Sequence, residues 1–295
     1  MIYPDVRPDI TPDLVRHLVS TQFPHWAGLP VRPVAVDGWD NRTYHLGDRM
    51  TVRLPSGPWY ARQVAKEQEW LPKLAASVPL PIPVPLGHGR PDEAYPFPWS
   101  IYGWIDGDLA RPDRVRDLTE FAVDVAEFLV ALAKADTTGA PGPGEHNFFR
   151  GGPLTTYHDE TVEAIAKLGD AVPGDFCRRI WQEGLDATWD GRPVWFHGDI
   201  SPNNLLVRDG RLAAVIDFGT SGVGDPACDL AIAWGMFTGS SRAAYREALG
   251  VDDGTWARGR GWALWKALIV YADSRGTGSP REDESHHALT ELLTE

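Results

Sequence analysis

Cysteine is nearly absent from this chain: Cys177 and Cys228 are the only two in 295 residues. Two thiols cannot staple a chain of this length, so a disulfide scaffold is excluded and a reducing compartment is implied. Positive charge is also short, with 28 lysines and arginines against 41 acids and a net charge of −13. A protein that grips nucleic acid through its phosphates needs the opposite balance, which excludes that partner. No long hydrophobic run is present. The most apolar late stretch, Trp262 to Tyr271, is interrupted by Lys266, one of only five lysines in the chain. That stretch is too short to span a bilayer and reads as a buried helix. The first residues, MIYPDVRPDI, lack the basic and apolar segments of a secretory signal. The expectation is a cytoplasmic protein without a membrane partner, and nothing here sets an oligomeric state.

What is present fits a two-part globular protein. Hydrophobic residues make up 43% and charged ones 23%, enough apolar surface for a large core. The acid excess is uneven. Residues 1–105 are neutral overall, residues 106–190 carry a net −9 and residues 191–295 a net −4. Such an acidic stretch suits a cationic small molecule, as well as serving solubility.

Residues 9–22 have helical spacing, with Thr11 placed to cap and Pro12 at the first position. From Val31 to Pro55, short strand-like runs are punctuated by turns, which reads as a β-meander. Residues 59–77 return to helical spacing. The proline-rich PLPIPVPLGHG (79–89) must be extended, and PWSIYGWIDG (98–107) reads as a buried strand leaving through a turn. Helical patterns dominate thereafter, at 118–135, across most of 157–190, and at 225–238 and 255–273. A β-rich front and a helix-rich back, joined near residues 100–107, invite a ligand cleft between them.

One segment carries the chemistry: VWFHGDISPNNLLVRDGRLAAVIDFGTSGVGDPACDLA (194–231). An apolar run leads to Asp199, and Asn204 follows. The apolar runs Leu205–Val207 and Leu212–Ile216 flank an Asp209-Gly210 pair, a strong hairpin signal. The hairpin folds Asp217 back beside Asn204, so two carboxylates and a carboxamide share one small region. Phosphoryl transfer is accelerated mainly by positioning and charge neutralisation. Asp217 and Asn204 offer the hard oxygens that magnesium prefers, and Asp199 can accept a proton from an attacking hydroxyl.

His197-Gly198-Asp199, then Asn204, then Ile216-Asp217-Phe218-Gly219, and finally Gly224-Asp225-Pro226 with Asp229-Leu230-Ala231, together resemble the aminoglycoside phosphotransferase family. That family is a small-molecule branch of the protein-kinase-like fold. The resemblance implies an α+β, bilobal protein-kinase-like fold, with an N-terminal lobe over residues 1–102 and a helical C-terminal lobe over 103–295. It implies Asp199 as catalytic base, Asn204 and Asp217 as magnesium ligands, His197 as support of the catalytic loop, and Asp229 as the residue that holds that loop. The donor would be ATP, with GTP as an alternative, together with Mg2+.

The nucleotide parts should lie in the front third. The family usually carries a lysine where this chain has Arg53, in Met50-Thr51-Val52-Arg53, with Glu67 as its expected helix partner. The phosphate-covering loop falls on Asp37-Gly38-Trp39-Asp40-Asn41, whose single glycine makes a weak pattern; Gly38 and Asn41 are its candidate contacts. Gly103 and Ile105 are the candidates for backbone contact with the base. Only five residues separate Gly219 from Asp225, too few for the long activation segment on which protein kinases dock a polypeptide, so the acceptor should be small. Glu145, Asp159, Glu160, Asp283 and Glu284 are candidates to meet a cationic acceptor. An aminoglycoside or similar antibiotic is the first expectation. The alternatives are a metabolic kinase for a choline-, homoserine-, ketosamine- or macrolide-type acceptor, and a nucleotide-binding module without transfer activity.

Overall fold

The computed structural model describes residues 6–35, 38 and 40–294. The chain opens with α1 (Pro12–Gln22). The Leu14 amide donates to the Thr11 hydroxyl at 3.3 Å, the cap expected from the sequence. The strands β1 (Val31–Pro33), β2 (Asn41–Leu46) and β3 (Met50–Pro55) follow, then α2 (Pro58–Ala75), β4 (Pro85–Gly89) and β5 (Trp99–Gly103). These strands form one antiparallel sheet in the order β1-β2-β3-β5-β4. The β3–β5 register sets Arg53 opposite Ser100. Under this sheet α1 buries Val15, Leu18 and Val19 against Leu46, Val52 and Ile101.

The remainder is mostly helical. After the two-residue β6 (Asp108–Leu109) come α3 (Leu118–Ala133), α4 (His158–Leu168) and α5 (Gly174–Asp186). Next lie the strands β7 (Val194–Phe196), β8 (Leu205–Arg208), β9 (Arg211–Val215) and β10 (Gly222–Gly224). The chain finishes with α6 (Ile232–Gly235), α7 (Gly239–Leu249), α8 (Asp253–Ser274) and α9 (Pro280–Thr294). The fold is therefore α+β. A second and larger core forms here around Phe121, Phe128, Trp195, Trp234 and Leu268.

The two cores are bridged by α2. Its Ala61 joins the first core, whereas Trp70, Leu71 and Leu74 join the second. Arg62 of α2 also pairs with Glu145 in the helical part. The expected hairpin is β8–β9, closed between Arg208 and Arg211. Asp209 and Gly210 both adopt positive φ, 52° and 79°, as a two-residue turn that follows the strand twist requires.

Candidate active site

The hairpin and the pairing of β7 with β10 set three loops side by side. One follows β7 and holds His197, Gly198 and Asp199. The next precedes β8 and holds Asn204. The third follows β9 and holds Asp217. The Ile216 amide donates to the Asn204 carbonyl at 2.9 Å, which locks the second loop to the third. Asn204 Nδ2 donates to the Asp199 carbonyl at 2.8 Å and to Asp199 Oδ2 at 3.0 Å. With its nitrogen committed there, Oδ1 is the donor atom Asn204 has left for a cation.

The loop after β7 hangs on Asp229. Its Oδ2 accepts the His197 amide at 2.8 Å and its Oδ1 the Gly198 amide at 2.6 Å. Burial pushes the Asp229 carboxyl up to about 7, against the pull of those two amides. His197 is fully buried. Its Nδ1 accepts the Asp199 amide at 3.2 Å, so Nε2 carries the proton and donates to the Ile216 carbonyl at 2.9 Å. Burial holds the ring below its usual range and hence neutral. Gly198 has φ 87°, and a Cβ there would lie 2.5 Å from the Thr220 carbonyl oxygen. A side chain here would force a shift where the loop of Asp199 backs onto the loop of Asp217.

Asp217 sits at φ 63°, a conformation that costs a non-glycine residue about 1–2 kcal/mol. Its carboxylate is half-buried and meets Arg53 at 3.3 Å. The expected pairing of Arg53 with Glu67 is replaced by this contact: among the described residues Arg53 forms its ion pair with Asp217. Glu67 lies near enough to interact electrostatically, but its Oε2 instead accepts the Tyr102 hydroxyl at 3.0 Å. Burial raises the Glu67 carboxyl, with Arg53 opposing the shift.

Of the loop expected to cover the phosphates, Asp37 and Trp39 lie outside the described residues. Gly38 is exposed and its carbonyl accepts from Arg42 at 2.8 Å. Asn41 is buried at the start of β2. Asp40, between them, faces the site. Burial pushes its carboxyl up to about 7, helped by Asp217 and opposed by Arg53. Gly103 ends β5, and the next amide, that of Trp104, donates to the Arg49 carbonyl at 2.8 Å. The Ile105 amide has no hydrogen-bond partner among the described residues.

The acceptor-side carboxylates are scattered. Glu145 is paired with Arg62. Glu160 accepts the Trp265 indole at 2.9 Å, with Asp159 exposed beside it in the first turn of α4. Asp283 and Glu284 are exposed on α9. None of these five lines the small pocket that opens beside Asp199. Arg150, Ile200, Cys228, Trp262, Trp265 and Lys266 are among the residues that do. The Arg150 guanidinium lies 4.5 Å from the Trp265 ring centre and donates to the Gly198 carbonyl at 3.2 Å. Lys266, on α8, forms an ion pair with Asp199 Oδ1.

Sequence reasoning missed Arg150, Lys266, Asp40 and Lys66. Two of these had a signal. Lys266 interrupts an apolar helix, where a charge needs a partner. Lys66 stands next to Glu67 on a helix with a buried face. It is itself buried and donates to the Gly219 and Ser221 carbonyls at 2.7 and 2.6 Å.

Residues 31–262 match the model of the phosphotransferase enzyme family, APH. An aminoglycoside 3'-phosphotransferase of Escherichia coli is 28% identical over 202 residues, which is 65% of this chain and 72% of that protein. Among solved structures, the GDP and kanamycin complex of APH(2")-IIia is similar with a TM-score of 0.71. The match has 18% identity and covers 95% of this chain and 98% of that one. Macrolide 2'-phosphotransferase MphH from Brachybacterium faecium is similar with a TM-score of 0.59 and 21% identity, over 95% and 97% of the two chains. The fold is thus that of the kinase-like phosphotransferases. The chain belongs to the phosphotransferase enzyme family and is a small-molecule kinase that acts on a hydroxyl group. Among the described residues no helix is long and apolar enough to cross a membrane.

Proposed function

We propose that this chain is an ATP- and Mg2+-dependent O-phosphotransferase of the cytoplasm whose acceptor is an aminoglycoside or a similar antibiotic. The observation that carries the reading is the contact set around Asp199. Asn204 orients its carboxylate, His197 and Asp229 fix its backbone, and a pocket opens beside it. The lobes would divide at residues 102 and 103, with the nucleotide between them. Arg53 would meet the phosphates, and the Ile105 amide and Gly103 the base. Solved relatives of this fold hold GDP, ADP or ATP, which supports a nucleoside triphosphate as donor.

The donor set suits magnesium. Among the described residues no cluster of three or more His, Cys, Asp or Glu side chains could hold a metal. One carboxylate, Asp217, and one carboxamide, Asn204, is the sparse protein set that this ion accepts when phosphates and water complete its shell. When bound there, the ion would neutralise phosphate charge. The residues of the chain do the rest. Asp199 takes the proton of the acceptor hydroxyl. That oxygen forms its bond to the γ-phosphorus as the bond to the β,γ-bridging oxygen breaks, and ADP leaves with the electron pair.

An aminoglycoside is supported by the acidic Glu160, bonded to Trp265 of the pocket wall, and by relatives of this fold solved with kanamycin and gentamicin. A macrolide, larger and more apolar than an aminoglycoside, is the second reading. The wall of Trp262, Trp265, Arg150 and Lys266 favours it, and macrolide phosphotransferases share the fold. The test is a mass-spectrometric screen of the purified chain with ATP, Mg2+ and both antibiotic classes. A product heavier by one phosphate is expected, and Asp199→Ala should lower turnover by about 10²–10⁴-fold. Turnover of Asp199→Ala near that of the unaltered chain would remove Asp199 from the mechanism.

A further inference from the structure

Lysine is rare in this sequence, and Lys266 lies on a helix whose surrounding residues, Trp262, Leu264, Trp265 and Leu268, are all buried. Its own side chain is 40% exposed, so its stem packs among these neighbours while the ammonium is directed at the pocket beside Asp199. Its partner is Asp199, the residue placed to receive the acceptor proton. The catalytic loop supplies no cation of its own, since residues 197–207 contain neither lysine nor arginine. An ammonium has three donors, and one of them meets Asp199 Oδ1. The others belong to a group that lines the small pocket beside Asp199. A hydroxyl poised to give its proton to Asp199 is one hydrogen bond from that carboxylate and in line with the γ-phosphorus. An ammonium on the same carboxylate is therefore within reach of the oxygens in transfer. Those oxygens carry the negative charge of the transition state.

We propose that Lys266 is a catalytic residue of this phosphotransferase: its ammonium, paired with Asp199, donates to a non-bridging oxygen of the phosphoryl group during transfer. The chemistry balances without further reagents. The acceptor proton moves to Asp199, the new oxygen–phosphorus bond forms, and the bridging bond breaks toward ADP. Lys266 keeps its own protons throughout. The cation that a catalytic loop might carry is delivered instead by α8, from the far end of the sequence. The inference rests on the phosphotransferase reading but not on the identity of the acceptor, because water can replace it.

The experiment measures turnover of Mg-ATP, by transfer to any acceptor the screen identifies and by slow hydrolysis otherwise. The unaltered chain is compared with Lys266→Met and Lys266→Arg, and each is also given ATPγS. Loss of one donor aimed at developing charge should lower the Lys266→Met turnover by on the order of 100-fold, with nucleotide KM changed by less than about threefold. Lys266→Arg should recover about a tenth or more of the lost rate, since the charge returns with different reach. The rate penalty for sulfur at the γ-phosphoryl should shrink in Lys266→Met, because the contact that sulfur weakens is already gone. If Lys266→Met unfolds, judged by its melting temperature, Lys266→Gln is measured in its place. Turnover within about threefold of normal would overturn the proposal. So would a loss of rate with an undiminished sulfur effect, which would make Lys266 a positioning residue for Asp199 only. A chain that neither transfers nor hydrolyses would sink the ATP-dependent reading itself, whereas full activity in Lys266→Met sinks this inference alone.

Discussion

Replacing Arg258 by leucine should destabilise the protein more than any surface substitution, and the structure gives the size of the effect. Arg258 lies on α8 and Asp225 at the exit of β10. Its Nε donates to Asp225 Oδ2 at 2.6 Å and its Nη2 to Asp225 Oδ1 at 3.3 Å. Both side chains are almost wholly buried, 8% and 6% exposed. Arg258→Leu would leave the Asp225 carboxylate in the interior without its counter-charge. Breaking a buried pair from one side costs about 3–5 kcal/mol. At roughly 2–4 °C per kcal/mol for a chain of this order of size, the melting temperature should fall by on the order of 10 °C. Asp225→Leu alone should do similar damage, because it strands the guanidinium and removes the cap on the Ala227 amide. The double variant should be less damaged than the sum of the singles by about 2 kcal/mol or more, since neither charge is then left alone. Denaturant titration of the four proteins checks this. A fall of under about 1 kcal/mol in Arg258→Leu, or singles that simply add, would refute the reasoning.

Gly198→Ala should leave the protein folded but lower turnover by on the order of 100-fold, because a Cβ placed 2.5 Å from the Thr220 carbonyl must shift the base or the metal loop. Steady-state kinetics beside a melting curve separates the two effects, and unchanged turnover would show that the loop can yield. Asp40 supplies a pH signature. Its carboxyl is raised from 3.8 to about 7 by burial and by Asp217. The folded state therefore holds a proton that the unfolded chain releases, and its contribution to stability is present below about pH 4 and lost as pH rises through about 7. Asp40→Asn lacks that loss. In the absence of nucleotide its melting temperature should gain on that of the unaltered chain between pH 5 and 8, and a constant difference would refute the assignment.

Much of the site was legible in the sequence because its geometry is local. Asp209-Gly210 demands a two-residue hairpin, and that hairpin alone returns Asp217 to Asn204. The β-meander, the extended proline-rich stretch and the helices at 12–22, 118–133 and 253–274 likewise follow from periodicity and caps. Two helices did not show. The segment that forms α9, PREDESHHALTELLT, buries only Ser285, Leu289 and Leu292, too few apolar positions for a clear stripe. In α7 the buried residues are Ser241 and Tyr245, so its pattern is equally faint.

By itself, then, the sequence determined that Asp199, Asn204 and Asp217 share one region, because short-range turn chemistry places them. Only the tertiary structure decided what surrounds that set. Lys266 reaches Asp199 from α8, Arg150 reaches Gly198 from the segment before α4, and Arg53 meets Asp217 rather than Glu67. Each of these contacts joins residues far apart in the chain, and no local pattern of side chains encodes which distant charge will close the pair. The packing of α2 and α8 against the loops makes that choice, because a cation settles on whichever carboxylate or carbonyl the fold brings within reach.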